Sequence, residues 1–191
     1  MPEEDDRLPC LTPDTNTEDR TFRYMAQPAG SAPLVFYNGC RDYARKHGIP
    51  SVAVPPEVLF SGSNLVVKTG IRDAVLPLEI PHLHMHPTIY IHDDGAWHED
   101  YWYMTFTRFL DCWDRRLSDY KDCPIEVGGT KLYSVYSYRL DAAVLEGMPL
   151  KDSLLFKMGG TQDGFIVCHE SIAGIFGASA TGVYLQPVTE Y

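Results

Sequence analysis

Basic residues are scarce in this chain: 16 Lys and Arg stand against 26 Asp and Glu, a formal net charge of -10. Such a balance repels nucleic acid and anionic membranes and attracts a basic partner from a distance, so direct DNA or RNA binding is not expected. Long apolar runs are missing too. Gly, Pro or a charge interrupts each one before it nears the ~20 residues that cross a bilayer, so no membrane partnership is expected. The opening residues, Met1 to Cys10, are acidic and lack the positive-then-apolar pattern of an export signal, which predicts a cytoplasmic protein. The five cysteines, Cys10, Cys40, Cys112, Cys123 and Cys168, are odd in number and form no C-x-x-C pair. They read as reduced thiols.

Signatures of catalysis are equally thin. The sequence has no H-E-x-x-H, no G-x-S-x-G and no dinucleotide fingerprint. Gly159 to Gly164 lacks the Lys-Ser/Thr of a phosphate loop and reads as a tight connection between strands. Cys168 and His169 are sequence neighbours, which on a strand face opposite ways, so they make a poor thiol–imidazole pair. The expectation is a protein that is not an enzyme and needs no cofactor.

What is present is globular: 45% hydrophobic and 22% charged residues over 191 positions suit one large domain. Residues 1–20 are acidic, hold Pro9 and Pro13 and lack apolar periodicity, and are expected to form a mobile leader. Residues 21–191 then make a single domain, with 21–87 open to being a separate lobe. Pro50, Pro55, Pro56, Pro77, Pro81 and Pro87 exclude long helices between 50 and 90, and a helix fits Arg41 to Lys46.

From Thr88 to Ile91 and from Trp97 to Thr105 the pattern predicts two strands joined by an Asp94-Gly95 turn. Phe106, Phe109, Leu110, Trp113 and Leu117 recur at helical spacing and predict an amphipathic helix. Strands are expected over 132–140, 153–158, 165–168 and 182–188, with a short helix over 170–176. Connections this short point to an α+β fold with a largely antiparallel sheet and a few short helices.

Two clusters bear on function. His82, His84 and His86 alternate, and three imidazoles on one strand face could bind Zn²⁺, which makes a small metal-dependent enzyme the alternative reading; Pro81 and Pro87 bracket the run and argue against a regular ladder. The second cluster is acidic: Asp93, Asp94, Glu99 and Asp100 surround the predicted hairpin, while Asp111, Asp114, Asp119 and Asp122 follow it. These carboxylates suit a solvated face, acid–base or Mg²⁺ chemistry, or presentation to a cationic site on a partner. The third option matches the charge balance.

The second half also carries an ordered pattern. An aromatic strand (Tyr101, Trp102, Tyr103) precedes Phe109 to Asp114, with Ser118 four residues after Asp114. Then come Leu155 to Met158, Phe165 to Ser171 and a terminal run from Thr181 to Val188. Over about residues 88–191 this resembles the immunity proteins of bacterial polymorphic-toxin systems, the group known from myxobacteria. Cys168 and His169 depart from the valine–serine usual there, and the histidine run has no counterpart. The resemblance implies a cytoplasmic antitoxin that binds and neutralises a cognate bacterial toxin or effector protein, and the charge adds that the toxin is a basic enzyme such as a nuclease. The residues expected to contact it are Asp93, Asp94, Glu99, Asp100, Asp111 and Asp119. Asp114 and Ser118 match the family's paired positions and are expected to share a local hydrogen bond at a helix end.

Overall fold

The structure, a computed structural model, describes residues 7–177 and 180–190. Eleven strands follow in chain order: β1 (Leu11–Pro13), β2 (Leu34–Asn38), β3 (Val58–Ser61), β4 (Asn64–Lys68), β5 (Leu83–Ile91), β6 (Trp97–Phe106), β7 (Phe109–Leu110), β8 (Asp119–Val127), β9 (Thr130–Ser137), β10 (Leu155–Met158) and β11 (Ile166–Cys168). The helices are short: α1 (Thr15–Glu18), α2 (Arg41–His47), α3 (Thr69–Val75), α4 (Ala142–Glu146), α5 (Leu150–Ser153) and α6 (Ala173–Phe176).

The main sheet has the order β1-β2-β5-β6-β4-β3, and only β2 and β5 run parallel within it. A single bridge between Cys10, just before β1, and Phe60 of β3 links the two edges and nearly closes the sheet into a barrel. Inside lie Leu34, Phe36, Tyr90, Tyr101 and Tyr103, alternate residues of strands whose other faces point outward, together with Phe22 from the segment before β2. A second core packs Val67, Met104 and Phe106 with Ile71 of α3, Leu155 and Phe176. A third gathers Cys112, Trp113, Tyr138, Phe156 and Met158 around the smaller sheet β11-β10-β7 and the β8–β9 hairpin. The α+β class and the largely antiparallel pairing thus match the expectation.

Four expectations are corrected. Residues 11–18 are no leader: β1 pairs with β2, Leu11 is buried, and Thr17 Oγ1 accepts from Val35 N–H at 2.8 Å. Residues 1–6 lie outside the described ones. Residues 21–87 are no separate lobe, because β2 pairs with β5 and β4 with β6. The helix expected over 106–117 does not form; Phe106 ends β6, Phe109 and Leu110 make β7, and Trp113 bridges to Leu140. The terminal run is not a strand either. Thr181 carbonyl accepts from Val58 N–H at 3.0 Å, Thr181 Oγ1 accepts from Glu57 N–H at 3.1 Å, and Gly182 turns with φ of 89° where a Cβ would strike the Val58 carbonyl. That close approach gives the Thr-Gly pair a structural reason.

Candidate functional site

The β5–β6 hairpin positions the densest polar cluster. Its turn forms as the sequence predicts: Gly95 N–H donates to the His92 carbonyl at 2.9 Å, Ala96 N–H donates to Asp94 Oδ1 at 2.8 Å, and Gly95 takes φ of 89°. Alternation then sends Tyr90 and His92 inward, and His98 faces Tyr90 across the ladder. The three rings stand 5.9 to 6.2 Å apart by centroid. The ladder shifts register between Thr88 and Tyr90, so Glu99 and Asp100 together oppose Ile89. This bulge leaves both carboxylates exposed. Trp97 pairs with Ile91 on the outer side and is 61% exposed.

Asp93 turns into the structure. Its Oδ2 accepts from Asn38 Nδ2 at 3.2 Å and from Ser51 Oγ at 2.6 Å. Asn38 in turn takes the backbone N–H groups of Cys10 and Cys40 on its Oδ1 at 3.2 and 3.0 Å, which fixes the end of β2. Between α2, residues 49–53 and the hairpin lies a recess of about 420 Å³, lined by Arg41, Arg45, Ser51, His92, Asp93 and Asp94 among others. Behind the recess, four solvent-inaccessible atoms have no hydrogen-bond partner, Tyr90 Oη, His92 Nδ1, Asp93 Oδ1 and His98 Nε2, and of these residues only His92 and Asp93 line it. Burial, then the charges of Asp93 and Asp94, push the Tyr90 phenol well above its ordinary pKa. Tyr90 is therefore a neutral donor at any physiological pH.

The histidine run is arranged differently. Despite the flanking prolines the ladder is regular, with His84 opposite Thr105, His86 opposite Tyr103 and Pro87 opposite Trp102. His86 Nε2 lies 2.9 Å from the Ala32 carbonyl, and His82 precedes the strand at φ of 63°. Among the described residues no group of three or more His, Cys, Asp or Glu is placed to hold a metal ion. The geometric premise of the metalloenzyme reading is missing from this run.

The remaining carboxylates are scattered. Asp111 precedes Trp113 of the third core and is held by Arg115, while Asp119 opens β8 opposite Ser137, on a different sheet from Asp93 and Asp94. Asp114 and Ser118 do not bond as expected at a helix end. Asp114 N–H donates to the Arg139 carbonyl at 2.8 Å and Ser118 Oγ accepts from Arg139 N–H at 3.0 Å, so both grip one residue of the neighbouring segment. The 159–164 run joins antiparallel β10 and β11, as predicted. Cys168 Sγ meets the His169 carbonyl at 3.5 Å, and His169 Nδ1 caps Ser171 N–H at 3.1 Å.

Sequence reasoning missed Lys157, Asn38 and Ser51. Lys157 is 3% exposed in β10, donates to Asn64 Oδ1 at 3.0 Å, and burial lowers its pKa to about 8. Its one signal was its place between Phe156 and Met158 in an apolar run. Compared with known proteins, the chain matches no family model and no curated sequence.

Proposed function

We propose that the chain is an immunity protein that binds and neutralises a cognate bacterial toxin in the cytoplasm of the cell that makes it. The observation that carries this reading is Trp97, an indole 61% exposed at the hairpin end, with Asp94, Glu99 and Asp100 exposed around the same turn. Trp is the residue type most enriched among binding anchors, and a ring of carboxylates beside it selects a basic surface. The net charge of -10 acts in the same direction by steering a cationic enzyme such as a nuclease. Among the described residues no helix is long and apolar enough to cross a membrane. Of the six carboxylates expected to contact the toxin, the geometry favours Asp94, Glu99 and Asp100; Asp93 faces the recess, Asp111 is paired, and Asp119 lies on the second hairpin.

Co-expression with the toxin encoded beside its gene tests the reading. The wild-type chain should restore growth and co-purify with the toxin. Trp97→Ala should weaken the complex by about 2 to 4 kcal/mol while leaving the fold intact, since the ring is mostly in water. Failure of the wild-type chain to protect, or turnover of a substrate by the purified protein alone, would end the proposal.

A further inference from the structure

We propose that Cys10 and Cys40 form a reversible disulfide when the protein meets a peroxide, which makes the pair an oxidation site at the seam where the main sheet nearly closes. The proposal does not depend on the toxin reading.

The fold joins two thiols that the sequence keeps ~30 residues apart. Cys10 stands just before β1, and Cys40 follows β2 at the head of α2. Asn38 pins both: its Oδ1 accepts the Cys10 N–H at 3.2 Å and the Cys40 N–H at 3.0 Å. Two backbones held on one oxygen lie within reach of a disulfide, whose Cα atoms stand roughly 4.4 to 6.8 Å apart. Gly39 N–H donates to the Cys10 carbonyl at 2.9 Å, which sets Cys10 opposite Gly39 at the end of the ladder. On a continuing strand Cys40 would then face away from Cys10. The chain instead turns at Cys40, with φ of -90° and ψ of -1°, and its thiol becomes the hydrogen-bonding and charged neighbour of the Cys10 thiol. Both residues are exposed, so a small oxidant reaches them. The other thiols stand elsewhere: Cys112 is in the third core, Cys168 packs against the second, and Cys123 lies in β8 of another sheet.

Burial, followed by the charge of Cys40, keeps Cys10 protonated, so Cys40 reacts first. Its thiolate attacks one oxygen of hydrogen peroxide and displaces the other as hydroxide, which takes a proton to become water; Cys40 is left as a sulfenic acid. The Cys10 sulfur then attacks the Cys40 sulfur. The S–S bond forms as the S–O bond breaks, and the expelled hydroxide leaves as water with the Cys10 proton. Each sulfur gives up one electron, and the peroxide takes both. The new bond clasps the seam, because Cys10 carries the bridge to Phe60 that links the edges of the sheet.

The full chain is treated with about a tenfold excess of hydrogen peroxide at about pH 8, digested with trypsin without reduction and mapped by mass spectrometry. Two of the five thiols should disappear, and fragments 8–20 and 24–41 should appear as one cross-linked species. The protein should still run as a single chain on a non-reducing gel, and dithiothreitol should restore both thiols. The oxidised chain should melt about 5 to 10 °C higher, since closing a loop of this length restricts the unfolded state. In Cys10→Ser the Cys40 sulfenic acid lacks its partner, and dimedone should trap about tenfold more of it than in the wild type. Should that variant not fold, the wild-type map and melt still decide. Links to Cys123 or between chains, over-oxidation of Cys40 without the link to Cys10, or a melting temperature that oxidation leaves unchanged overturns the proposal. So does a wild-type chain that keeps all five thiols.

Discussion

Arg115 holds Asp111 with two hydrogen bonds of 2.7 Å each, one from either terminal nitrogen, while its guanidinium lies 4.1 Å over the Trp113 ring. A carboxylate engaged on both oxygens has little left to offer a partner. Asp111→Asn should therefore leave toxin protection unchanged and cost roughly 1 kcal/mol of stability, a modest figure because the pair is partly exposed. Urea denaturation beside a growth-rescue assay reads both. A loss of protection at unchanged stability would return Asp111 to the contact surface.

The same segment shows why part of the fold was not legible in the sequence. Phe106, Phe109, Leu110, Trp113 and Leu117 have helical spacing, but Phe106 enters the second core, Trp113 the third, and Phe109 and Leu117 stay exposed. Spacing alone cannot tell one buried stripe from residues sent to separate places. Strand β8, the partner of the expected strand β9, escaped notice for a related reason: Asp119, Lys121, Asp122, Cys123, Ile125, Glu126 and Val127 are all exposed, so burial imposes no two-residue alternation on β8. By contrast, the Asp94-Gly95 turn, the helix from Arg41 and the strands β10 and β11 rest on local chemistry and were legible. The recess was not, because Asn38, Ser51 and Asp93 meet only through the tertiary fold.

If the hairpin carboxylates steer the toxin, their effect falls on the association rate. The variant Asp94→Asn, Glu99→Gln, Asp100→Asn should slow association by about tenfold at low ionic strength. The difference should shrink severalfold at about 0.5 M salt, where the Debye length falls to roughly 4 Å. Stopped-flow mixing at several salt concentrations measures this. A rate difference that does not change with salt would mean that these groups act through contact rather than steering.

The five thiols should divide by environment. Cys10, Cys40 and Cys123 are exposed, whereas burial raises the Cys112 thiol to about 12 and the Cys168 thiol to about 11. Burial, followed by the Cys40 neighbour, also raises Cys10. With a disulfide reagent at about pH 8, Cys123 and Cys40 should react first and Cys10 more slowly. Cys112 and Cys168 should wait for unfolding in urea, since each is less than about 1% thiolate at that pH. Peptide mapping by mass spectrometry assigns the order, and early labelling of Cys112 would contradict the packing of the third core.

Lys157 gives stability a pH dependence of definite sign. Its amine is buried against Asn64 with a pKa near 8, while an unfolded chain restores the ordinary 10.5. Below pH 8 both states hold the proton and the cost of burying the charge is fully present. Between 8 and 10.5 the unfolded state binds more protons than the folded one, so this group's contribution to stability rises with pH. The gain over that window is on the order of 3 kcal/mol. Lys157→Met removes the titrating group without shortening the stem. The stability of the wild type minus that of the variant, from urea melts at about pH 7 and pH 10, should therefore become more positive at the higher pH, the other titrations cancelling. A difference that stays flat would show that the ammonium is as well solvated in the folded chain as in the unfolded one.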